Sequence, residues 1–338
     1  MALIDFTDRG LYCGRAGVYI DPWRPVARAL ITHGHADHAR PGHGHYLCTP
    51  EAAPVLKHRL GAINVQTLAY GQPLDINGVS VSLHPAGHVV GSAQIRLAYG
   101  KEIWVISGDY KLENDGISTP FEPVACSHFV TECTFGLPIF TWAPQADVAQ
   151  DLNAWWAAQA AAGRTCVLGA YSLGKAQRLL GMLDPDLGPI LTHGAIEATN
   201  AVLRAQGIAL PPTVQVTAET DIKAHQGAMV LAPPAALDSA WARRFPDRAS
   251  GFASGWMRLR GIRRRRAADR GFVISDHADW PGLLSAISQT GAAHIYATHG
   301  YTDVFARHLR DIGYDAHVVQ TEFDGDDAEQ AQPAQAPA

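Results

Sequence analysis

The sequence predicts an α/β protein in which one layered domain is interrupted by a second, smaller α/β segment. Three changes of texture carry that expectation. Short apolar runs punctuated by turn residues fill the first third, long helical segments begin near Pro144, and a tight strand–helix alternation returns after an arginine-rich run. The boundaries drawn from this pattern are a first part at 1–140, an inserted segment at 141–271, a returning part at 272–323 and a disordered acidic, Gln/Ala/Pro-containing tail at 324–338.

In chain order, strands are expected at Val18 to Ile20, Ala29 to Ile31, Tyr46 to Cys48, Val79 to Leu83, Ala93 to Leu97 and Ile103 to Ile106. In VSVSLH, Val79, Val81 and Leu83 alternate with Ser80, Ser82 and His84, which suits a sheet with one packed face. The segment PQADVAQDLNAWWAAQAAAG reads as a helix, with proline near its start, Val148, Leu152 and Trp155 on one stripe, and Gly163 as a stop. TCVLGA, the turn Tyr171 to Gly174, the helix KAQRLLGML and the strand PILTH form a β-α-β unit, hence parallel sheet, which Val214 to Val216 and Met229 to Leu231 extend. The returning half is read as strand GFVIS, helix WPGLLSAISQ, strand HIYATH, helix TDVFARHLRDI and strand AHVVQ. No repeat of fixed period is present.

Composition narrows the function classes. Of 338 residues 47% are apolar, enough for a substantial core, and no apolar run reaches eighteen residues. The start, MALIDFTDRG, has an aspartate where a signal peptide needs an apolar stretch, so the expectation is a soluble, cytoplasmic protein without a membrane role. Five scattered cysteines with no C-x-x-C pair argue against a disulfide framework and a cysteine zinc knuckle. A net charge of −5 means a polyanionic partner must meet a local basic patch, and RLRGIRRRRAADR (258–270) supplies seven arginines against one aspartate.

The chemistry concentrates in THGHADHARPGHGH (32–45), with five histidines and one aspartate. His33-x-His35-x-Asp37-His38 follows an apolar strand. Residues two apart on an extended strand project to one side, so His33 and His35 can grip one metal ion. A following segment, read as a short helix, swings Asp37 and His38 towards a second. Imidazole and carboxylate suit zinc, manganese or iron, and two ions about 3.5–4 Å apart can hold a hydroxide and clamp a phosphoryl oxygen. The competing reading is a histidine-rich surface loop. It is disfavoured because four ligand-type side chains share one strand-to-turn geometry.

This segment resembles the signature H-x-H-x-D-H of the metallo-β-lactamase superfamily, whose fold is an αββα sandwich. The resemblance implies that Asp21 in VYID orients the histidine loop from a second shell, that His88 in AGHVVGSA is the third histidine of the first metal site, and that Asp109 in ISGDY bridges two ions. It assigns His33, His35, His88 and Asp109 to one ion, and Asp37, His38, Asp109 and a late histidine to the other. His43 and His45 fall outside the pattern. TECTFG with Glu132, SDHAD with His277 and ATHG with His299 resemble motifs A, B and C of the β-CASP nucleases, which carry a cap domain between motifs A and B. GAYSLGKAQRLL is similar to the first βα turn of such caps. The resemblance spans about Leu11 to His317, and its motif spacing and ASGWM…RGFVISDHADWP wording are most similar to the bacterial ligase-associated DNA exonucleases.

What the resemblance implies is a two-metal phosphodiesterase, with Zn2+ or Mn2+ as cofactor, in which a hydroxide bridging the ions attacks phosphorus. His299 is the late histidine. His277 is the general acid, Glu132 holds its other ring nitrogen, and Asp37 belongs to the catalytic set. THG also occurs at Thr192, where His193 lies inside the inserted segment and is read as structural. Asp276 and Asp279 are read as loop-shaping or helix-capping residues. Candidate phosphate or nucleic-acid contacts are Ser172, Lys175, Ser275, Arg263, Arg264, Arg265 and Arg266, against ordinary turn residues and a solvated basic loop. Trp142, Trp155, Trp156 and Trp256 are candidates to stack on bases, with helix packing the default for Trp155 and Trp156. The substrate expected is single-stranded or end-containing DNA, degraded from a 5′ end in repair, in functional association with an ATP-dependent DNA ligase and a helicase. An RNA-processing nuclease shares every motif, a thioesterase or lactonase is disfavoured by the inserted segment and SDHAD, and a non-catalytic metal scaffold is disfavoured because no ligand position is missing.

Overall fold

The computed structural model of the protein describes residues 2–265 and 268–322; Arg266 and the tail at 324–338 lie outside the described residues. The described chain divides into two compact units. Among the described residues, one combines 2–141 with 276–322, and the other spans Trp142–Ser275.

The first unit begins with a six-stranded sheet laid down in chain order: β1 (Asp5–Thr7), β2 (Gly10–Cys13), β3 (Val18–Ile20), β4 (Arg28–Leu30), β5 (His45–Cys48) and, after helix α1 (Ala52–Leu60), β6 (Val65–Thr67). A second sheet starts with β7 (Leu74–Ile76), β8 (Val79–Pro85), β9 (Ala93–Tyr99), β10 (Glu102–Ile106) and β11 (His128–Cys133). The strands from β7 to β10 are an antiparallel meander, whereas β10 and β11 run parallel.

The second unit then carries α2 (Gln145–Ala161), β12 (Cys166–Gly169), α3 (Lys175–Leu180), β13 (Ile190–Thr192), α4 (Gly194–Ala205), β14 (Val214–Gln215), β15 (Met229–Ala232), β16 (Ala249–Ala253), α5 (Arg260–Arg265) and β17 (Arg270–Phe272). Its sheet is parallel throughout, in the order β14-β13-β15-β12-β16-β17. On returning to the first unit the chain forms α6 (Trp280–Thr290), β18 (His294–Gly300), α7 (Thr302–Asp311) and β19 (Asp315–Val318), completing the sheet β19-β18-β11-β10-β9-β8-β7.

Side-chain alternation explains the layers of the first unit. In β10, Trp104 and Ile106 join Val79, Val81 and Leu83 of β8 and Leu11, Val18 and Ile20 of the other sheet in one core between the sheets. Val105, pointing the other way, packs with Leu283 and Ile287 of α6 and Phe305 and Leu309 of α7. On the far side, Ala29, Tyr46 and Cys48 pack against Ala52 and Leu56 of α1. The result is helix, sheet, sheet, helix, each fully buried large apolar side chain contributing about 1.5–3 kcal/mol. In the second unit the sheet is apolar on both faces. Leu168 and Met229 pack with Trp155, Trp156 and Leu179, while Val167, Leu191 and Val230 pack with Val216 and Phe245. Among the described residues no helix is long and apolar enough to cross a membrane.

Two local expectations need correction. Residues 34–39 form bends and turns, not a short helix; the turn closes with Ala39 N–H donating to His35 O at 2.8 Å. Pro41 follows two residues later and disfavours a helical Arg40. The strand GFVIS does not join the returning half. It supplies β17, which pairs with β16, and Phe272 packs edge-on against Trp155 in the core of the second unit. Strands β1, β2, β6, β7, β11 and β16 are not among those expected from the sequence.

Candidate functional site

The ends of β3, β4, β9, β10, β11 and β18 all serve one polar cluster in the first unit. Asp21, directly after β3, adopts φ +40°, a left-handed conformation that costs a non-glycine residue about 1–3 kcal/mol. Its carboxylate accepts from Thr32 N–H at 2.8 Å and from the Thr32 hydroxyl at 2.5 Å, and it lies 2.7 Å from His38 Nδ1. It thereby anchors both ends of the histidine segment. Gly108 lets the end of β10 approach: a Cβ there would lie 2.6 Å from that of Thr32.

Donor atoms of His33, His35, His88 and Asp109 all lie within 4.8 Å of one another. His33 Nε2 and His88 Nε2 are each 3.1 Å from His35 Nδ1, and they are 3.4 and 3.7 Å from Asp109 Oδ2. His88 Nδ1 donates to the carbonyl of Asp276 at 2.9 Å, so in the neutral ring Nε2 carries the lone pair that faces the cluster. Asp37, His38 and His299 form a second group on the same criterion, with His38 Nε2 3.6 Å from Asp37 Oδ2 and 3.5 Å from Asp109 Oδ2. The rings of His38 and His299 stack at 5.1 Å. A third group joins Asp109 to Glu132 and His277. Glu132, at the end of β11, accepts from Tyr110 N–H at 2.8 Å and from the Thr134 hydroxyl at 2.6 Å, and His277 Nδ1 lies 2.8 Å from its Oε2.

The electrostatics are those of a crowded, buried site. Burial, then the charge of neighbouring His38 and His35, drives His33 well below the usual histidine range. Burial would also depress His38, but Asp109, Asp37 and Asp21 outweigh it and lift the ring to about 10. His299 falls to about 3, through burial and then His38. Burial lifts Asp109 to about 7 against the pull of His38. Asp109 Oδ1 is buried and has no hydrogen-bond partner among the described residues. Imidazole nitrogens converging on Asp109 Oδ2, with Oδ1 of the same carboxylate left without a hydrogen-bond partner among the described residues, form a donor set suited to divalent cations.

One feature escaped sequence reasoning. Between β11 and β18 the register runs Glu132↔Thr298 and then Cys133↔Gly300, so His299 is an extra, bulged residue. Its φ of +58° is left-handed, and Cys133 Sγ donates to its carbonyl at 2.8 Å. Gly300 is required beside it, because a Cβ there would lie 2.5 Å from the Cys133 carbonyl oxygen. The bulge turns the His299 ring out of the strand's alternation and into the group with Asp37 and His38.

The remaining candidates lie elsewhere. His43 is buried beside Tyr46, ring centroids 5.0 Å apart, and His45 is exposed on β5. His193 caps α4 by accepting from Ala195 N–H, and Asp279 caps α6 by accepting from Gly282 N–H. Ser172, Lys175 and Ser275 belong to the second unit. Ser172 is partly exposed, Lys175 is buried with its ammonium 5.4 Å from the Tyr171 ring, and buried Ser275 accepts at its carbonyl from Arg178 at 2.9 Å. Arg263, Arg264 and Arg265 lie in α5, where Arg264 is exposed. Trp155 and Trp156 are core residues of the second unit, whereas Trp142 and Trp256 are partly exposed.

No family model matches the chain. It is 32% identical over 313 residues, 92% of its length, to a protein of Opitutus terrae named "Probable DNA ligase", of which the match covers 30%. Over 122 residues, 36% of the chain, it is 30% identical to "Endoribonuclease YSH1" of Yarrowia lipolytica, covering 14% of that protein. It is 28% identical over 123 residues to "RNase aCSPSF2" of Saccharolobus solfataricus, covering 25%. The chain thus spans less than a third of the length of these relatives. Among solved structures, a protein of unknown function from Enterococcus faecalis V583 shares the fold at a TM-score of 0.60 with 12% identity, over 87% of this chain and 79% of that one.

Proposed function

We propose that the protein is a metal-dependent nuclease of the metallo-β-lactamase, β-CASP type, and that it hydrolyses phosphodiester bonds of DNA from a strand end. The observation that carries this reading is the convergence of three donor groups through one carboxylate, Asp109, which lies 3.4–4.0 Å from ring nitrogens of His33, His38, His88 and His277. Homology to proteins named as ribonucleases supports a hydrolase acting on nucleic acid.

His33, His35, His88 and Asp109 would hold one divalent ion, and Asp37, His38, Asp109 and His299 the other. Ions bound there, Zn2+ or Mn2+, supply positive charge to a phosphoryl oxygen and lower the pKa of water. The protein's own contribution to proton transfer lies beside them. Glu132 accepts the Nδ1 proton of His277 and, held by Tyr110 N–H and the Thr134 hydroxyl, fixes the ring. A proton on His277 Nε2 is then the one delivered to the leaving oxygen. Of the candidate phosphate contacts, the partly exposed Ser172 and the exposed Arg264 are proposed to contact the backbone of a bound strand, whereas Lys175 and Ser275 are buried.

DNA is favoured as substrate because the match covering nearly the whole chain is to a protein named as a probable DNA ligase, which also supports action beside a ligase. The ribonuclease reading rests on matches over 36% of the chain. End-labelled DNA and RNA strands of one sequence, digested by Zn2+- or Mn2+-loaded protein, separate the two. Release of mononucleotides from the 5′ label of DNA is expected; faster cleavage of RNA would reverse the assignment.

A further inference from the structure

Thr-His-Gly occurs three times, at Thr32, Thr192 and Thr298. The two copies in the first unit share an arrangement that the third lacks. Thr32 Oγ1 lies 3.1 Å from His33 Nδ1, and Thr298 Oγ1 lies 2.9 Å from His299 Nδ1. In the second unit the Thr192 hydroxyl donates instead to Glu197 at 2.7 Å, and His193 Nδ1 accepts from a helix N–H.

At the first copy the direction of the hydrogen bonds is fixed. Thr32 Oγ1 is 2.5 Å from Asp21 Oδ2, and a carboxylate only accepts, so the hydroxyl proton is committed to Asp21. The Thr32 oxygen must then accept from His33 Nδ1–H. A neutral imidazole with its proton on Nδ1 carries its lone pair on Nε2, the atom that faces His35 and Asp109. At the second copy the hydroxyl of Thr298 meets the hydroxyl of Thr321, just beyond β19, at 3.2 Å. Two hydroxyls can run either way. The order His299 Nδ1–H to Thr298 to Thr321 is the one that leaves the His299 Nε2 lone pair for the group with Asp37 and His38.

We infer that Thr298 is a positioning residue that selects Nε2 of His299 as a cation ligand, as Thr32 does for His33, with Thr321 closing the relay. This rests on the two-ion reading above. The unequal endings of the relays have a consequence: one stops on a carboxylate and is locked, the other stops on a partly exposed hydroxyl and is adjustable. The ion beside His299 is therefore the more weakly held of the two.

The test is titration of metal-free protein with Zn2+ against a chromophoric chelator, with thermal melting of each metal-free variant as the check on folding. Thr298→Val keeps the β-branched shape in β18 and removes the hydroxyl. Wild-type protein is expected to bind two Zn2+ of unequal affinity. Thr298→Val should keep the tighter ion at wild-type affinity and hold the second about 10–100-fold more weakly, the usual cost of losing an outer hydrogen bond to a ligand histidine. Thr298→Ser should restore it, and Thr192→Val should change neither ion. Thr321→Val should weaken the same ion by a smaller factor, and it carries the test if Thr298→Val does not fold. A folded Thr298→Val protein with both ions at wild-type affinity would overturn the inference and leave the two-ion reading standing, as would unchanged binding in Thr321→Val where that variant stands in. Equal weakening in Thr192→Val would also overturn it. Wild-type protein that takes up no Zn2+ overturns the two-ion reading and this inference together.

Discussion

Asp109 in the first unit is buried and Glu197 in the second is partly buried, and the fold treats the two acids in opposite ways. Glu197 accepts from the hydroxyls of Thr192 and Thr213, the amide of Asn200 and the guanidinium of Arg204 at 2.6–3.3 Å. Burial would raise its pKa, but the Thr192, Thr213 and Arg204 hydrogen bonds prevail and hold it below the usual glutamate value. Asp109 has one oxygen without a hydrogen-bond partner among the described residues, and burial carries it up to about 7. A chain that can equip a carboxylate so fully in one unit has left the other to be neutralised from outside. That contrast supports the proposal that Asp109 belongs to a cation site rather than to a stabilising network.

The largest effect expected is at Asp109. Asp109→Asn keeps the shape and removes the charge, so strand hydrolysis by metal-loaded protein should fall on the order of a thousandfold, several kcal/mol of lost charge stabilisation. Bound Zn2+, counted by elemental analysis, should fall with it. The metal-free variant should melt higher than metal-free wild type, because burial and the neighbouring charges of Glu132 and Asp37, which disfavour the ionised Asp109 against the pull of His38, no longer act on a carboxylate. A lower melting temperature would mean that Asp109 is a structural acid like Glu197, and the contrast would fail.

Glu132 lies between these extremes, with two donors besides His277, and it too falls within a donor group that includes Asp109. Glu132→Gln should slow hydrolysis by about a hundredfold, the low end for general acid catalysis, while the protein still binds two Zn2+. Loss of an ion in this variant would move Glu132 from orienting His277 to ligating metal.

The contrast was only partly legible in the sequence. His33, His35, Asp37 and His38 lie within six residues, so local spacing was enough to mark them, and the strands β8 to β10 announced themselves by alternation. His88, Asp109, Glu132, His277 and His299 were found through motif resemblance, since nothing local says that residues so distant in sequence meet. What brings them together is non-local: the left-handed turn at Asp21, the bulge that inserts His299 between β11 and β18, and Gly108 and Gly300 allowing backbone to approach. Such features depend on the partner strand, which a single segment does not reveal. For the same reason the Glu197 network went unseen, and GFVIS was credited to the wrong sheet. A strand does form there, at Arg270–Phe272, but its partner is β16.

The smallest effect concerns Glu197 and asks whether the satisfied acid stabilises its unit. Glu197→Gln removes the charge from four hydrogen bonds, one of them to Arg204, whose own side chain is about a third exposed. Hydrogen bonds to charged groups are worth about 1.5–3 kcal/mol, and partial solvation of Arg204 reduces this to an expected loss of about 1–2 kcal/mol at neutral pH. The sign with pH follows from the depressed pKa. Above the ordinary value of 4.5 the folded and unfolded chains both carry the charge and the contribution is complete. As pH falls below that value the unfolded chain takes up its proton first, and the contribution fades until the folded carboxyl is protonated as well. The gap between wild type and Glu197→Gln in urea denaturation should therefore be widest at neutral pH and close on acidification. A gap that widened towards low pH would contradict the assignment of Glu197 as the satisfied member of the pair.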